Sequence, residues 1–224
     1  MGRVWSEEEL TNIAEIASRH DLMVVSDEVW YDFVHPEEEH TVFHKVNTNL
    51  QSKLITCTSA SKTFNLAGGV ISNIIISDET LRDKFLEEAE RLSLTGINIF
   101  GFEATRIAYT KSEEWLEELL EVIYDNQEMV KAFFEVHYPK VKAPVSEGTY
   151  VQWLDFRALD IDDEELDRLL QEHQCFTNPG HVFGEEGSGF QRINVALPKE
   201  ALQDNLERML KALQLQETNK SHLN

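Results

Sequence analysis

The sequence has few cysteines, few basic residues and no long apolar run, and each shortage excludes a class of protein. Its 224 residues include only two cysteines, Cys57 and Cys175. Two cysteines cannot build a disulfide framework, so we expect both thiols to be reduced in a cytoplasmic protein. Lysine and arginine number 20 against 41 aspartates and glutamates, and the net charge of -21 argues against nucleic acid or an anionic membrane as a partner.

Other absences narrow the range of functions further. No apolar run approaches the roughly 20 residues of a membrane-spanning helix, and no charged and then apolar leader opens the chain, so we expect neither a membrane span nor a signal peptide. The motif Gly-x-x-x-x-Gly-Lys-[Ser/Thr] is missing, which excludes a P-loop nucleotide hydrolase. No cysteine or carboxylate set accompanies the histidines His35, His40 and His44, so the sequence predicts no metal site.

A polar segment between two apolar runs carries a single lysine. The apolar runs are residues 54–57 and 70–76, which are typical of buried strands, and Ser59, Ser61 and Lys62 lie between them. A lysine beside hydroxyls and glycines suits a Schiff base to an aldehyde cofactor whose phosphate the hydroxyls and backbone amides hold. From the spacing alone, a solvated loop lysine is an equal alternative.

Two further charged residues stand in apolar surroundings. Residues 22–26 form a short apolar run that ends at Asp27, which places a carboxylate at the carboxyl end of a predicted buried strand. Such a carboxylate can keep a pyridine ring nitrogen protonated, so that the ring accepts electrons. Arg192 lies inside the apolar run 191–196, where its guanidinium needs an anion, either a substrate carboxylate or an acidic side chain of the protein.

The motifs at these positions resemble those of a known enzyme family. Ser-Asp-Glu-Val at 26–29 and Ser-Ala-Ser-Lys-Thr-Phe-Asn-Leu-Ala-Gly at 59–68 are similar to the fold-type I pyridoxal-phosphate enzymes of the class I and II aminotransferase family. Within that family they resemble the cystathionine β-lyase-like branch, the carbon-sulfur lyases. The resemblance implies pyridoxal 5'-phosphate as the cofactor and an amino acid as the small-molecule substrate. It implies a catalytic Lys62 and a cofactor site made of Asp27, Trp30, Ser59, Ser61 and Lys62, and it makes Arg192 the ligand of the substrate α-carboxylate.

The resemblance also implies the fold and the extent of the chain. The fold class is α/β, the aspartate aminotransferase-like fold of PLP-dependent transferases. Residues 1–108 would form the carboxyl-terminal part of the large cofactor-binding domain, and residues 109–224 a small α+β domain. Because a Gly-Arg-Val-Trp-Ser stretch usually lies deep inside the large domain of this family, we expect the chain to be part of a longer enzyme that forms a homodimer.

Two departures from the family pattern bear on the reaction. Trp30 stands where many relatives carry a tyrosine or a histidine, and Val70 stands where many aminotransferases carry a phosphate-binding arginine. The lyase branch commonly lacks that arginine as well. The resemblance, through Asn-Leu-Ala-Gly at 65–68 and Val70, therefore favours a carbon-sulfur β-lyase that acts on cystathionine-like amino acids. An aminotransferase and a non-catalytic fragment are the alternatives, and we expect little turnover from the 224-residue chain alone.

Local patterns predict the other elements. Ser6 and Glu9 form a capping box that begins a helix, Asp78 caps another, and a long helix from Ser112 ends before Pro139. The segment 92–102 is expected to line or cross the fold, with breaks at Gly96 and Gly101. Further expectations are an irregular loop at 37–49, strands at 140–144, 148–156, 175–178 and 191–196, helices at 162–173 and 199–215, and a frayed tail at 217–224.

Overall fold

A computed structural model of the chain describes residues 2–46 and 48–223. The chain divides into two compact units. We call Val4–Glu117 the lysine unit, and Met1–Arg3 together with Glu118–Asn224 the arginine unit, after the site residue that each contains. The domain boundary expected between residues 108 and 109 stays a prediction.

The lysine unit is built on a three-stranded sheet. Its strands are β1 (Val24–Asp27), β2 (Leu54–Thr58) and β3 (Asn73–Ile76), in the order β1-β2-β3. Strand β1 runs parallel to β2, whereas β3 is antiparallel to it, and Asp27 lies beside Cys57 in the register. The two apolar runs before Asp27 and before the lysine segment are therefore confirmed as strands. The prediction that β1 is buried is wrong, because Val25 in this strand is 59% exposed.

Five helices precede, connect or follow the strands of this sheet. They are α1 (Glu7–Arg19), α2 (Phe43–Val46), α3 (Ala60–Thr63), α4 (Glu79–Arg91) and α5 (Ile99–Lys111). The predicted caps are confirmed, because Ser6 and Glu9 form a capping box and Asp78 accepts from the backbone N–H of Leu81. The apolar cluster of this unit joins α1, α2 and β2 and consists of Leu10, Ala14, Ala17, Phe43, Leu50 and Leu54.

Three further expectations for the lysine unit are wrong. Strand β3 begins at Asn73, because Val70 adopts a left-handed backbone conformation with φ 53° that no strand residue can have. Helix α5 continues through Gly101, where a break was expected, because the missing side chain lets the helix touch the backbone of Gly69. Helix α2 lies in the segment 37–49, which the sequence predicts to be irregular, and Asn47 of that segment is outside the described residues.

The arginine unit combines three helices with an antiparallel sheet. The helices are α6 (Glu113–His137), of which this unit holds the residues from Glu118 onward, α7 (Asp163–Glu172) and α8 (Lys199–Leu223). The strands β4 (Val151–Asp155), β5 (Asn178–Pro179) and β6 (Phe190–Asn194) lie in the order β4-β6-β5. Across the part of the chain that the structure describes, no helix is both long enough and apolar enough to cross a membrane.

The expectations for the arginine unit hold for its helices and only partly for its strands. Residues 140–144 form a single bridge between Lys142 and Asp155 instead of a strand. The ladder cannot continue at Pro144, which has no backbone N–H. Strand β5 starts at Asn178, where the predicted strand ends. Helix α8 runs on to Leu223, so the expected frayed tail is wrong up to that residue, and Asn224 lies outside the described residues.

Candidate active site

The carboxyl ends of β1 and β2 open into a cleft of about 420 Å³. Asp27, Ser59 and Ser61 all line this cleft, as does Val70. These residues come from three different elements of the lysine unit: Asp27 ends β1, Ser59 and Ser61 belong to the start of α3, and Val70 follows the next turn. Parallel strands bring their carboxyl ends to one edge of a sheet, which is where α/β proteins bind ligands.

Asp27 presents an uncompensated negative charge at this cleft. One of its carboxylate oxygens, Oδ1, accepts a hydrogen bond of 3.2 Å from the backbone N–H of Val29, which fixes the orientation of the carboxylate. No lysine, arginine or histidine in the described residues forms an ion pair with Asp27. Burial, and after it the charge of Asp27, raises the pKa of the neighbouring Cys57 thiol. The carboxylate therefore suits a cationic or protonated group of a ligand.

Lys62 lies on α3, a helix of a single turn. Ser59 caps this helix, because its hydroxyl accepts from the backbone N–H of Ser61 at 3.0 Å and donates to the carbonyl oxygen of Ile71 at 2.7 Å. No hydrogen bond or ion pair joins the Lys62 ammonium to another described residue, and the hydroxyl of Ser61 has no described partner either. The structure thus leaves an amine and a hydroxyl available on successive residues, although Lys62 itself is not among the residues that line the cleft.

Trp30 also lies apart from the lining residues. Its ring packs against Phe33, with a distance of 5.9 Å between ring centroids. The next residue, Tyr31, shares a hydrogen bond with Tyr109, and burial raises the pKa of both phenols. The structure therefore brings Asp27, Ser59 and Ser61 together at the cleft, whereas Trp30 lies in the turn that follows β1 and is not among the lining residues.

A buried carboxylate next to Asp27 is not apparent from the sequence. Glu28 is only 7% exposed and accepts hydrogen bonds from Ser26 Oγ at 2.9 Å, from His40 Nε2 at 2.9 Å and from the backbone N–H of Phe43 at 3.1 Å. Burial alone would raise the pKa of Glu28, but these hydrogen bonds outweigh it and hold the pKa below its ordinary value. Glu28 thereby fastens the segment that contains His40 to the end of β1.

A second carboxylate that the sequence does not reveal connects the two candidate site segments. Asp32 Oδ2 accepts a hydrogen bond of 2.6 Å from Thr63 Oγ1. Thr63 is fully buried, and it follows Lys62 directly in the sequence. Burial raises the pKa of Asp32, although the Thr63 hydroxyl and the charge of His40 oppose the shift. The available signal was an acid between two aromatic residues, Tyr31 and Phe33. Nothing in the local pattern identifies Thr63 as its partner.

Arg192 lies on β6 in the arginine unit. Its Nη2 donates to Asn178 Oδ1 at 3.0 Å, and its Cζ lies 4.5 Å from the centroid of the Phe183 ring. Its Nε is buried and has no hydrogen-bond partner, and no carboxylate of the described residues forms an ion pair with it. An arginine with these contacts offers its remaining N–H groups to an anion, and the planar fork matches a carboxylate.

Comparison with known proteins identifies the chain's relatives. The sequence model of the family "Aminotransferase class I and II" matches residues 1–209. The chain is 38% identical over 213 residues to cystathionine beta-lyase PatB of Bacillus subtilis, and the match covers 95% of this chain and 55% of PatB. It is 26% identical over 216 residues to an aspartate aminotransferase of Pyrococcus abyssi.

A solved structure of a pyridoxal-phosphate protein has the same fold over the matched residues. The structure resembles that of cystalysin from Treponema denticola, which contains a pyridoxal 5'-phosphate cofactor, with a TM-score of 0.93 and 43% sequence identity. That match covers 95% of this chain and 54% of cystalysin. The chain thus spans about half the length of the relatives it matches.

Proposed function

Since the chain belongs to the class I and II aminotransferase family, we propose that the complete enzyme is a PLP-dependent carbon-sulfur β-lyase that acts on cystathionine-like amino acids. One observation carries the proposal: Asp27 and Ser61 meet at one cleft, and the unpaired amine of Lys62 follows Ser61 directly. The higher identity to a cystathionine β-lyase than to an aspartate aminotransferase, 38% against 26%, supports the lyase reaction.

The donor set of the lysine unit fits pyridoxal phosphate. A carboxylate without a counter-ion suits the protonated ring nitrogen, a free hydroxyl suits the phosphate, and an unpaired amine suits the aldehyde. In this proposal Asp27, Ser61 and Lys62 make those three contacts. Ser59 supports the phosphate side as the cap of α3, and Trp30, in the turn after β1, is proposed as a further contact to the cofactor. When bound, the cofactor withdraws electrons from the Cα atom of an amino acid.

Each residue of the chain then has a defined task. Arg192 binds the α-carboxylate of the amino acid through its guanidinium fork. Lys62, as the free amine, removes the proton from Cα. Asp27 keeps a proton on the ring nitrogen through a charge-assisted hydrogen bond. The bond between Cβ and sulfur breaks with its electron pair on sulfur, and the net reaction converts the thioether amino acid and water into a thiol, pyruvate and ammonia.

The extent of the chain defines further parts of the proposal. We propose that residues 1–108 form one part of a large cofactor-binding domain, whose other part corresponds to the remaining half of the relatives' length. Residues 109–224 would form the small domain. We also propose a cytoplasmic homodimer for the complete enzyme. An aminotransferase is the second candidate function, because relatives of that activity match the same residues. A non-catalytic fragment is the remaining alternative.

Trapping the cofactor on its lysine tests the site. The 224-residue chain and the complete enzyme are incubated with pyridoxal phosphate, reduced with borohydride and mapped by peptide mass spectrometry. We expect the label on Lys62, its loss in Lys62→Ala, and its retention in Lys84→Ala, which removes an exposed lysine of α4 in the same unit. A label spread over surface lysines in the complete enzyme would refute the assignment of Lys62.

A further inference from the structure

Two arginines of the arginine unit have the same type of aromatic contact but differ in their charge partners. Arg157 lies over the ring of Phe190, with its Cζ 4.6 Å from the ring centroid, and forms a two-pronged pair with Asp155 at 2.9 and 2.7 Å. Arg192 lies over the ring of Phe183 at 4.5 Å. It has only the neutral Asn178 as a side-chain hydrogen-bond partner in the described part of the chain. Among the residues that the structure describes, a carboxylate neutralises Arg157 and none neutralises Arg192.

The position of Phe183 is determined by its neighbours. Phe183 ends a short helical turn, Gly180–Phe183, and its ring meets the ring of Trp153 edge to face at 5.6 Å between centroids. Trp153 is directly opposite Arg192 in the register of β4 and β6, so both side chains stand on one face of the sheet. A Cβ atom on Gly180 would lie 2.1 Å from the carbonyl oxygen of Gly187, so the turn packs backbone against backbone.

From these contacts we propose that Phe183 is a positioning residue for Arg192. Its ring holds the guanidinium in one plane, while Asn178 holds one end of the fork, so that the other N–H groups are oriented before a carboxylate arrives. A guanidinium that is already oriented loses less conformational entropy when it binds a planar anion, so the affinity is higher. This inference rests on the proposed role of Arg192 as the ligand of the substrate α-carboxylate.

The rate at which a reagent modifies the Arg192 guanidinium reports how firmly the ring of Phe183 holds it, and this measurement needs no cofactor. The 224-residue chain is treated with phenylglyoxal, and the rate of modification of Arg192 is followed by peptide mass spectrometry. A cation-π contact at a partly exposed site corresponds to a factor of about 2 to 5 in an equilibrium. We therefore expect Phe183→Leu to speed modification of Arg192 by about that factor. Phe183→Tyr, which keeps the ring, should restore the original rate.

A matched control removes the other stacked ring. Phe190→Leu takes away the aromatic partner of Arg157, but the pair with Asp155 remains, so the rates at Arg157 and Arg192 should stay close to those of the parent chain. If Phe183→Leu does not fold, Phe183→Met replaces it, since methionine fills the space without a ring. A rate at Arg192 that is the same with and without the Phe183 ring in a folded chain would overturn the proposal.

A second measurement separates this inference from the proposed function. L-cystathionine is added during the phenylglyoxal reaction, and its protection of Arg192 is titrated. We expect protection in the parent chain, and about two- to fivefold more cystathionine to be needed in Phe183→Leu. If cystathionine protects neither chain, the carboxylate role of Arg192 fails. The rate without cystathionine still decides whether Phe183 positions the guanidinium.

Discussion

At the scale of single residues, Asp27 is placed for chemistry more than for stability. It stands exposed at the end of β1, and the only described hydrogen bond of its side chain comes from the backbone N–H of Val29. We expect Asp27→Ala to change the free energy of unfolding of the chain by no more than about 0.5 kcal/mol. In the complete enzyme the same change should lower turnover by roughly 100-fold or more, because a charge that stabilises the reacting ring is lost.

Two assays check the Asp27 prediction. Urea unfolding of the chain gives the stability, and thiol release by the complete enzyme gives the turnover. The matched control is Asp83→Ala on α4, which removes an exposed carboxylate outside the cleft and should leave both quantities unchanged. Near-normal turnover in Asp27→Ala would show that this carboxylate has another role.

Thr63, unlike Asp27, is placed for stability, because its hydroxyl holds the segment around Lys62 to Asp32. Thr63→Val keeps the shape of the side chain but removes the hydroxyl that donates to Asp32. The carboxylate then loses its donor in partly buried surroundings, which should lower the free energy of unfolding by about 1–3 kcal/mol. Thr63→Ser should recover most of the loss. Thr11→Val removes a hydroxyl that bonds only within α1, and an equal loss in that control would contradict the prediction.

At the scale of elements, the buried carboxylate of Glu28 is expected to make stability depend on pH. The folded-state pKa of Glu28 is lowered, so its carboxylate stabilises the fold above the ordinary glutamate pKa, about 4.3, and this contribution disappears as the pH falls through the lower folded-state value. Glu28→Gln removes the charge that Ser26, His40 and the Phe43 amide bind. We expect it to lower the free energy of unfolding by about 1–3 kcal/mol at neutral pH.

Urea unfolding as a function of pH tests this prediction. The difference between the parent chain and Glu28→Gln should shrink as the pH falls below about 4.3. Glu15→Gln replaces an exposed glutamate of α1 and should show no such pH-dependent difference. A difference between the parent and Glu28→Gln that stays constant down to acidic pH would mean that the charge of Glu28 does not stabilise the segment.

Elements with local signals are predictable from the sequence. The capping box at Ser6 and Glu9 begins α1 because both partners lie within one turn. Strand β2 is predictable because it begins with the apolar residues Leu54 and Ile55, and Leu54 packs in one cluster with residues of α1. The motif around Lys62 is also predictable from local sequence, because its hydroxyls and glycines are close neighbours in the chain.

Elements decided by distant contacts are not predictable in this way. Val70 belongs to an apolar run, yet the close packing of the preceding turn against α5 accompanies a left-handed backbone there. Gly101 has low helix propensity, but a Cβ at that position would come within 2.3 Å of the Gly69 carbonyl oxygen, so the helix needs glycine at this contact. The pair Thr63–Asp32 and the stacking of Phe183 on Arg192 join residues with no common local pattern.

At the scale of the whole molecule, the share of the relatives that this chain covers determines what to expect from it. The chain spans 55% of PatB and 54% of cystalysin. Asp27, Ser61 and Lys62 account for three contacts to the proposed cofactor, and the remaining contacts would come from the other half of the relatives' length. We therefore expect little or no lyase turnover from the 224-residue chain alone, and robust turnover from it would contradict the proposed extent of the site.

The most direct test of the proposed function is the reaction of the complete enzyme with cystathionine. Thiol and pyruvate are followed together in the presence of pyridoxal phosphate. We predict that both products appear in equal amounts without an added keto acid, and that Lys62→Ala abolishes both, because the amine that removes the Cα proton is gone. Amino transfer that requires a keto acid and releases no thiol would contradict the lyase account and establish an aminotransferase.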